Sequence, residues 1–98
     1  MTKSEMAAAL GERNAWLPGK RVKLDFGAEG VVMLDGKANQ VTEEDAQADT
    51  TIKVSWEDWQ ALRDGKLDGM TAFMMGKLKV EGDMSAAMQL QGVLAKLR

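Results

Sequence analysis

Cysteine, histidine and tyrosine are all absent from this chain of 98 residues. Without cysteine there is no disulfide framework and no thiolate nucleophile or ligand. Without histidine the usual general base and the commonest metal ligand are missing. What remains for chemistry is Asp, Glu, Lys and the serines Ser4, Ser55 and Ser85. No catalytic residue, metal site or cofactor is therefore expected. No apolar run approaches the roughly 18 residues that span a bilayer. The first residues lack the basic stretch and apolar core of a secretion signal, so a cytoplasmic protein is expected. Thirteen Lys and Arg against fifteen Asp and Glu leave a net charge of −2, without a basic stripe. Nucleic acid is not an expected partner.

The length fits a single domain over residues 1–98. A chain of this size buries roughly 60–70% of its unfolded surface, enough for one modest core. A hollow in so small a core would forfeit packing contacts that it can barely spare. Any cavity here is therefore a functional feature.

Residues 3–13 suit a short helix: Thr2 and Glu5 have capping-box spacing, and Met6 and Leu10 share a face. Pro18 and Gly19 end that segment. Arg21 to Phe26 alternates, with Val22, Leu24 and Phe26 inward, which predicts a half-buried strand. Gly27 to Gly30 is a turn, Val31 to Leu34 a second strand, and Asp35-Gly36 a second turn. Asn39 to Thr42 reads as a short third strand, and acidic Glu43 to Asp49 as a solvated connection. Tight turns make these three strands antiparallel.

The second half is better punctuated. Thr50 to Val54 is a β-branched strand, and Ser55 with Asp58 caps the helix Trp56–Asp64, closed by Gly65. Trp56, Trp59 and Leu62 form its apolar stripe. An apolar block, Met70 to Met75, precedes an alternating strand, Gly76 to Glu81, with Leu78 and Val80 inward. Gly82 ends that strand and Asp83 opens a last helix. Segregated strands and helices predict an α+β fold: a mostly antiparallel five-stranded sheet with helices covering one face.

At about 100° per residue, the last helix places Met84, Ala87, Met88, Gln91 and Leu94 in one arc, with Ser85 and Gln89 opposite and facing water. Gln91 is a polar group in an apolar arc. A buried amide without partners costs roughly 1–3 kcal/mol. Either Gln91 bonds to the backbone of a neighbouring element, or it offers a polar group to a ligand. Five of the eight methionines lie between Met70 and Met88. They suit ordinary core packing, or an adaptable wall around an apolar ligand. Met74 and Met75 are adjacent and cannot both face one way on a regular element.

These residues carry a family resemblance. A-D-T-T-I from Ala48, S-x-E-D from Ser55, G-K-L-D from Gly65, A-F-x-x-G-x-L-K-x-x-G from Ala72 and L-Q-x-x-L from Leu90 follow one another in order. This half of the chain resembles the sterol carrier protein-2, or nonspecific lipid-transfer, family. The resemblance implies a lipid-binding cavity between helices and sheet. It also implies that Leu90-Gln91 matches the family's pair on the cavity-lining last helix. Phe73 matches the first aromatic of an A-F-F motif, and Met74 replaces the second. The expected lipid-binding residues are Trp59, Leu62, Met70, Phe73, Met74, Met84, Met88, Gln91 and Leu94. Trp56 is expected to be partly exposed at a mouth or contact surface. The opening helix is shorter and less bulky than the family's, which suits an open groove in place of a closed tunnel.

The resemblance implies noncatalytic binding or transfer of a fatty acid, acyl-CoA, sterol or isoprenoid-like lipid. Expected partners are that lipid, a membrane touched transiently without stable insertion, and a second copy in a homodimer. The alternative is an accessory protein-interaction module of a lipid or quinone assembly, with a filled core. An enzyme using Glu57, Asp58 or Asp64 is set aside, because capping and solvent exposure explain those carboxylates.

Overall fold

The computed structural model describes residues 2–86, 88 and 89. Its elements are α1 (Lys3–Glu12), β1 (Arg21–Asp25), a 3-10 turn (Gly27–Glu29), β2 (Val31–Asp35), β3 (Gln40–Thr42), β4 (Thr50–Val54), α2 (Trp56–Arg63), α3 (Gly69–Met74) and β5 (Leu78–Gly82). Residues 84–86, 88 and 89 are also helical.

The strands form one five-stranded sheet in the order β3-β2-β1-β4-β5. Its pairs are antiparallel except β1 with β4, which run parallel. The fold is the expected α+β arrangement. The register places Val22, Leu24, Val32, Leu34, Ile52 and Val54 on one face. All six are buried and join Met6 and Leu10 of α1 with Trp59 and Leu62 of α2 in a single core. The other face carries Arg21, Lys23, Asp25 and Lys53, which are half-buried or exposed.

Local chemistry sets the boundaries. Thr2 and Glu5 form the expected capping box on α1: the Thr2 hydroxyl accepts from the Glu5 N–H at 3.1 Å, and the Glu5 carboxylate accepts from the Thr2 N–H at 3.0 Å. β1 stops at Asp25, one residue short of the predicted Phe26, because the Asp25 carboxylate accepts the Gly27 N–H at 2.9 Å and turns the chain. Phe26 still points into the core. β2 runs one residue further than predicted, to Asp35, whose carboxylate then accepts the N–H groups of Lys37 and Ala38 at 2.9 and 3.0 Å. β3 starts at Gln40 because Asn39 sits in the left-handed region, at φ 56°. β5 starts at Leu78 because the Lys77 N–H is committed to the Ala72 carbonyl, closing α3.

The acidic connection of residues 43–49 has to carry the chain past β2 and β1 to reach β4. It is tied by charge as well as solvated. Glu43 meets Lys3 and the Ser4 hydroxyl, Asp45 meets Lys23 at 2.7 Å, and Asp49 accepts the Arg21 N–H at 2.9 Å. Gly36 sits in a close backbone approach. Its N–H bonds to the Lys20 carbonyl at 2.8 Å, and a Cβ there would lie 1.7 Å from the Leu17 carbonyl oxygen.

Candidate functional site

α2 starts where the Ser55 hydroxyl accepts the Asp58 N–H at 3.1 Å. This cap fixes the rotation of the helix and turns its Trp56, Trp59 and Leu62 stripe onto the sheet. Trp59 and Leu62 are fully packed core residues. Trp56 is half-buried, as expected, and meets Phe26 edge-on with ring centroids 5.2 Å apart. Phe26 also contacts Trp59 at 5.7 Å. The Trp59 indole N–H is buried without a hydrogen-bond partner among the described residues.

The apolar block from Met70 forms α3, a short helix. The Asp68 carboxylate caps it by accepting the Thr71 N–H at 3.1 Å. Ala72 is its buried residue. Met70, Phe73 and Met74, spaced i, i+3 and i+4, are all exposed, Phe73 at 40% and Met74 at 79%. Met75 is exposed as well, so both adjacent methionines face out.

The last helix shows the same division. It seats through Ala86, which is 1% exposed, while Ser85 and Gln89 face water as expected. Met84 and Met88, in the arc expected to turn inward, are exposed. Met84 and Met88 do not pack because the cap at Asp83 turns Ala86 to the core. Asp83 accepts the Ser85 N–H and hydroxyl, and its own N–H and carbonyl bond to Thr50. Gln91 and Leu94 lie outside the described residues.

The expected site residues thus fall into two groups. Trp59 and Leu62 form a packed base. Met70, Phe73, Met74, Met84 and Met88 stand exposed on the helices that precede and follow edge strand β5.

A feature missed in the sequence is a groove of about 420 Å³ where β1 and β4 end and β5 begins. Phe26 and Val54 form its apolar wall, and Asp25, Lys53, Lys77 and Lys79 its charged one. Lys77 and Lys79 read in sequence as ordinary outward strand positions. Pairing sets Lys53 beside Asp25 and directly opposite Lys79, which no local pattern reveals.

Three carboxylates are held below their usual range, each by hydrogen bonds. Glu5 is held by Thr2, and Asp35 by the N–H of Ala38 ahead of that of Lys37 and the charge of Arg21. For Asp83 the Ser85 hydroxyl and Lys20 are the main causes. Such groups are ionised near neutral pH and suited to capping, not proton donation. Among the described residues no cluster of acids could hold a metal ion, and no helix is long and apolar enough to cross a membrane.

Comparison with known proteins agrees with this architecture. Sterol carrier protein 2 of Bos taurus is 42% identical over 59 residues, covering 60% of this chain and 11% of that protein. The chain thus spans only about a tenth of this curated relative's length. The solution structure of sterol carrier protein-2 from Aedes aegypti with palmitate superposes at a TM-score of 0.78. It is 20% identical and covers 96% of this chain and 94% of that one. A UbiJ-SCP2 ubiquinone synthesis protein superposes at 0.72 with 17% identity, covering 97% and 94%. Residues 7–95 match the SCP-2 sterol transfer family, and the chain belongs to it.

Proposed function

We propose that residues 1–98 form one noncatalytic domain that binds a lipid against α3 and the last helix. The observation that carries this reading is the exposure of Met70, Phe73, Met84 and Met88 on two helices flanking β5, outside a core already closed by Trp59 and Leu62. Covering apolar surface releases roughly 25 cal/mol per Å². The flexible thioethers let one surface fit chains or rings of different shape. A fatty acid, acyl-CoA, sterol or isoprenoid-like molecule meets these demands. The fold-related mosquito protein was solved with palmitate, which makes a fatty acid the first ligand to test. Gln91, from its place in the sequence, supplies the polar contact to the head. Displacement of a fluorescent acyl chain by palmitate is the experiment. Saturable displacement at about micromolar concentration supports the reading, and its absence at that level refutes it.

A second reading is an accessory module of a lipid or quinone assembly. It is favoured by the likeness of fold to the UbiJ-SCP2 protein. The same exposed side chains would then meet a protein, a second copy of this chain included. A stable complex that excludes the acyl probe would favour it.

A further inference from the structure

Met74 and Met75 are 79% and 61% exposed, too open to line an interior. The chain turns at Gly76, φ 77°, and passes directly into the groove wall at Lys77 and Lys79. Lys53 stands opposite Lys79 across the β4–β5 pair. Like charges placed so weaken a sheet, and Glu81 offsets this at Lys53 alone, so sheet stability does not account for Lys79. Glu81 engages Lys53 at 2.7 Å, and Asp25 accepts the Gly27 N–H. The ammonium groups of Lys77 and Lys79 have no acidic partner among the described residues.

We propose that this corner, Met74 and Met75 beside the groove of Lys53, Lys77 and Lys79, docks on the surface of an anionic lipid bilayer. The two methionines enter the headgroup boundary, and Lys77 and Lys79 meet lipid phosphates. Apolar insertion and charge attraction are each weak alone and hold a protein to a membrane together. A free phosphate would satisfy the lysines and leave the methionines in water. A bilayer satisfies both. This docking is independent of what cargo the domain carries.

Flotation of the full chain with phosphatidylcholine vesicles, with and without phosphatidylserine, tests it. The chain should bind only the phosphatidylserine vesicles and be released as salt rises. Lys77→Gln with Lys79→Gln should weaken binding about 25-fold, at about fivefold per lysine. Met74→Ser with Met75→Ser should weaken it as well. All four positions are exposed, and an unchanged thermal midpoint confirms folding of the variants. Absence of vesicle binding, or equal binding to neutral vesicles, overturns the proposal. So does full binding by the methionine variant, which would leave a groove for small anions such as inorganic phosphate.

Discussion

Thr50 and Asp83 hold each other by two hydrogen bonds. The Thr50 hydroxyl accepts the Asp83 N–H at 3.1 Å and donates to the Asp83 carbonyl at 3.4 Å. Thr50 is buried at the start of β4, and Asp83 opens the last helix. One side chain therefore fixes where that helix leaves the sheet, and with it the placement of Met84 and Met88. Gly82 lies in the same seam, where a Cβ would come 2.5 Å from the Asp49 carbonyl oxygen.

Thr50→Val keeps the β-branched shape and removes both bonds. It should cost about 1–2 kcal/mol of folding stability, read by urea unfolding, because a part-buried N–H is left unpaired. It should also weaken acyl-probe binding by loosening the last helix.

Asp83 contributes, with Glu5 and Asp35, to the acid limb of stability. Its carboxyl is held well below the usual range by the Ser85 hydroxyl first and by Lys20 at 2.9 Å. A carboxyl with a depressed folded pKa contributes stability above its unfolded value of about 3.9, lost as pH falls from there toward the folded value. Urea midpoints taken across acid pH should fall in this window. Asp83→Asn should flatten part of that fall, and a variant curve parallel to the parent would contradict the assignment.

Gly36→Ala should destabilise by about 1–3 kcal/mol in thermal or urea unfolding. The added methyl would press on the Leu17 carbonyl, a backbone atom that cannot swing away.

Trp59 separates packing from polarity. Trp59→Ala should cost about 3–5 kcal/mol through the cavity it leaves. Trp59→Phe should cost far less, because it also deletes an indole N–H that has no partner among the described residues. Equal losses in the two variants would mean the N–H is not the liability it is taken to be.

Much of the fold is legible in the sequence because its signals are local. Ser55 and Asp83 each open the helix that follows, and Gly65 ends α2 with positive φ, whereas the apolar block from Met70 carries no pattern that marks it as the helix α3. Alternation in Val22, Leu24 and Phe26 gives the inner face of the first strand directly, while the unbroken apolar run Val31 to Leu34 does not say which of its residues turn inward. The parallel seating of β4 on β1 is not legible, since it depends on a connection whose charges pair with Lys3, Lys23 and the Arg21 backbone. The site was legible in composition more than in direction. Periodicity identifies Met84 and Met88 as one arc, but Ala86 and the Asp83 cap decide which side of the helix packs.

Phe73→Ser with Met70→Ser removes exposed apolar surface on α3 without touching the core. Acyl-probe affinity should fall about tenfold or more, as expected when one large apolar contact is lost. Folding stability should change by less than about 0.5 kcal/mol.

The central claim is that the exposed faces of α3 and the last helix hold a lipid. Native mass spectrometry of the freshly purified chain tests it most directly. A discrete lipid adduct that diminishes in the Met70 and Phe73 double variant is the predicted result. A ligand-free mass, with none gained on incubation with palmitate, would contradict it.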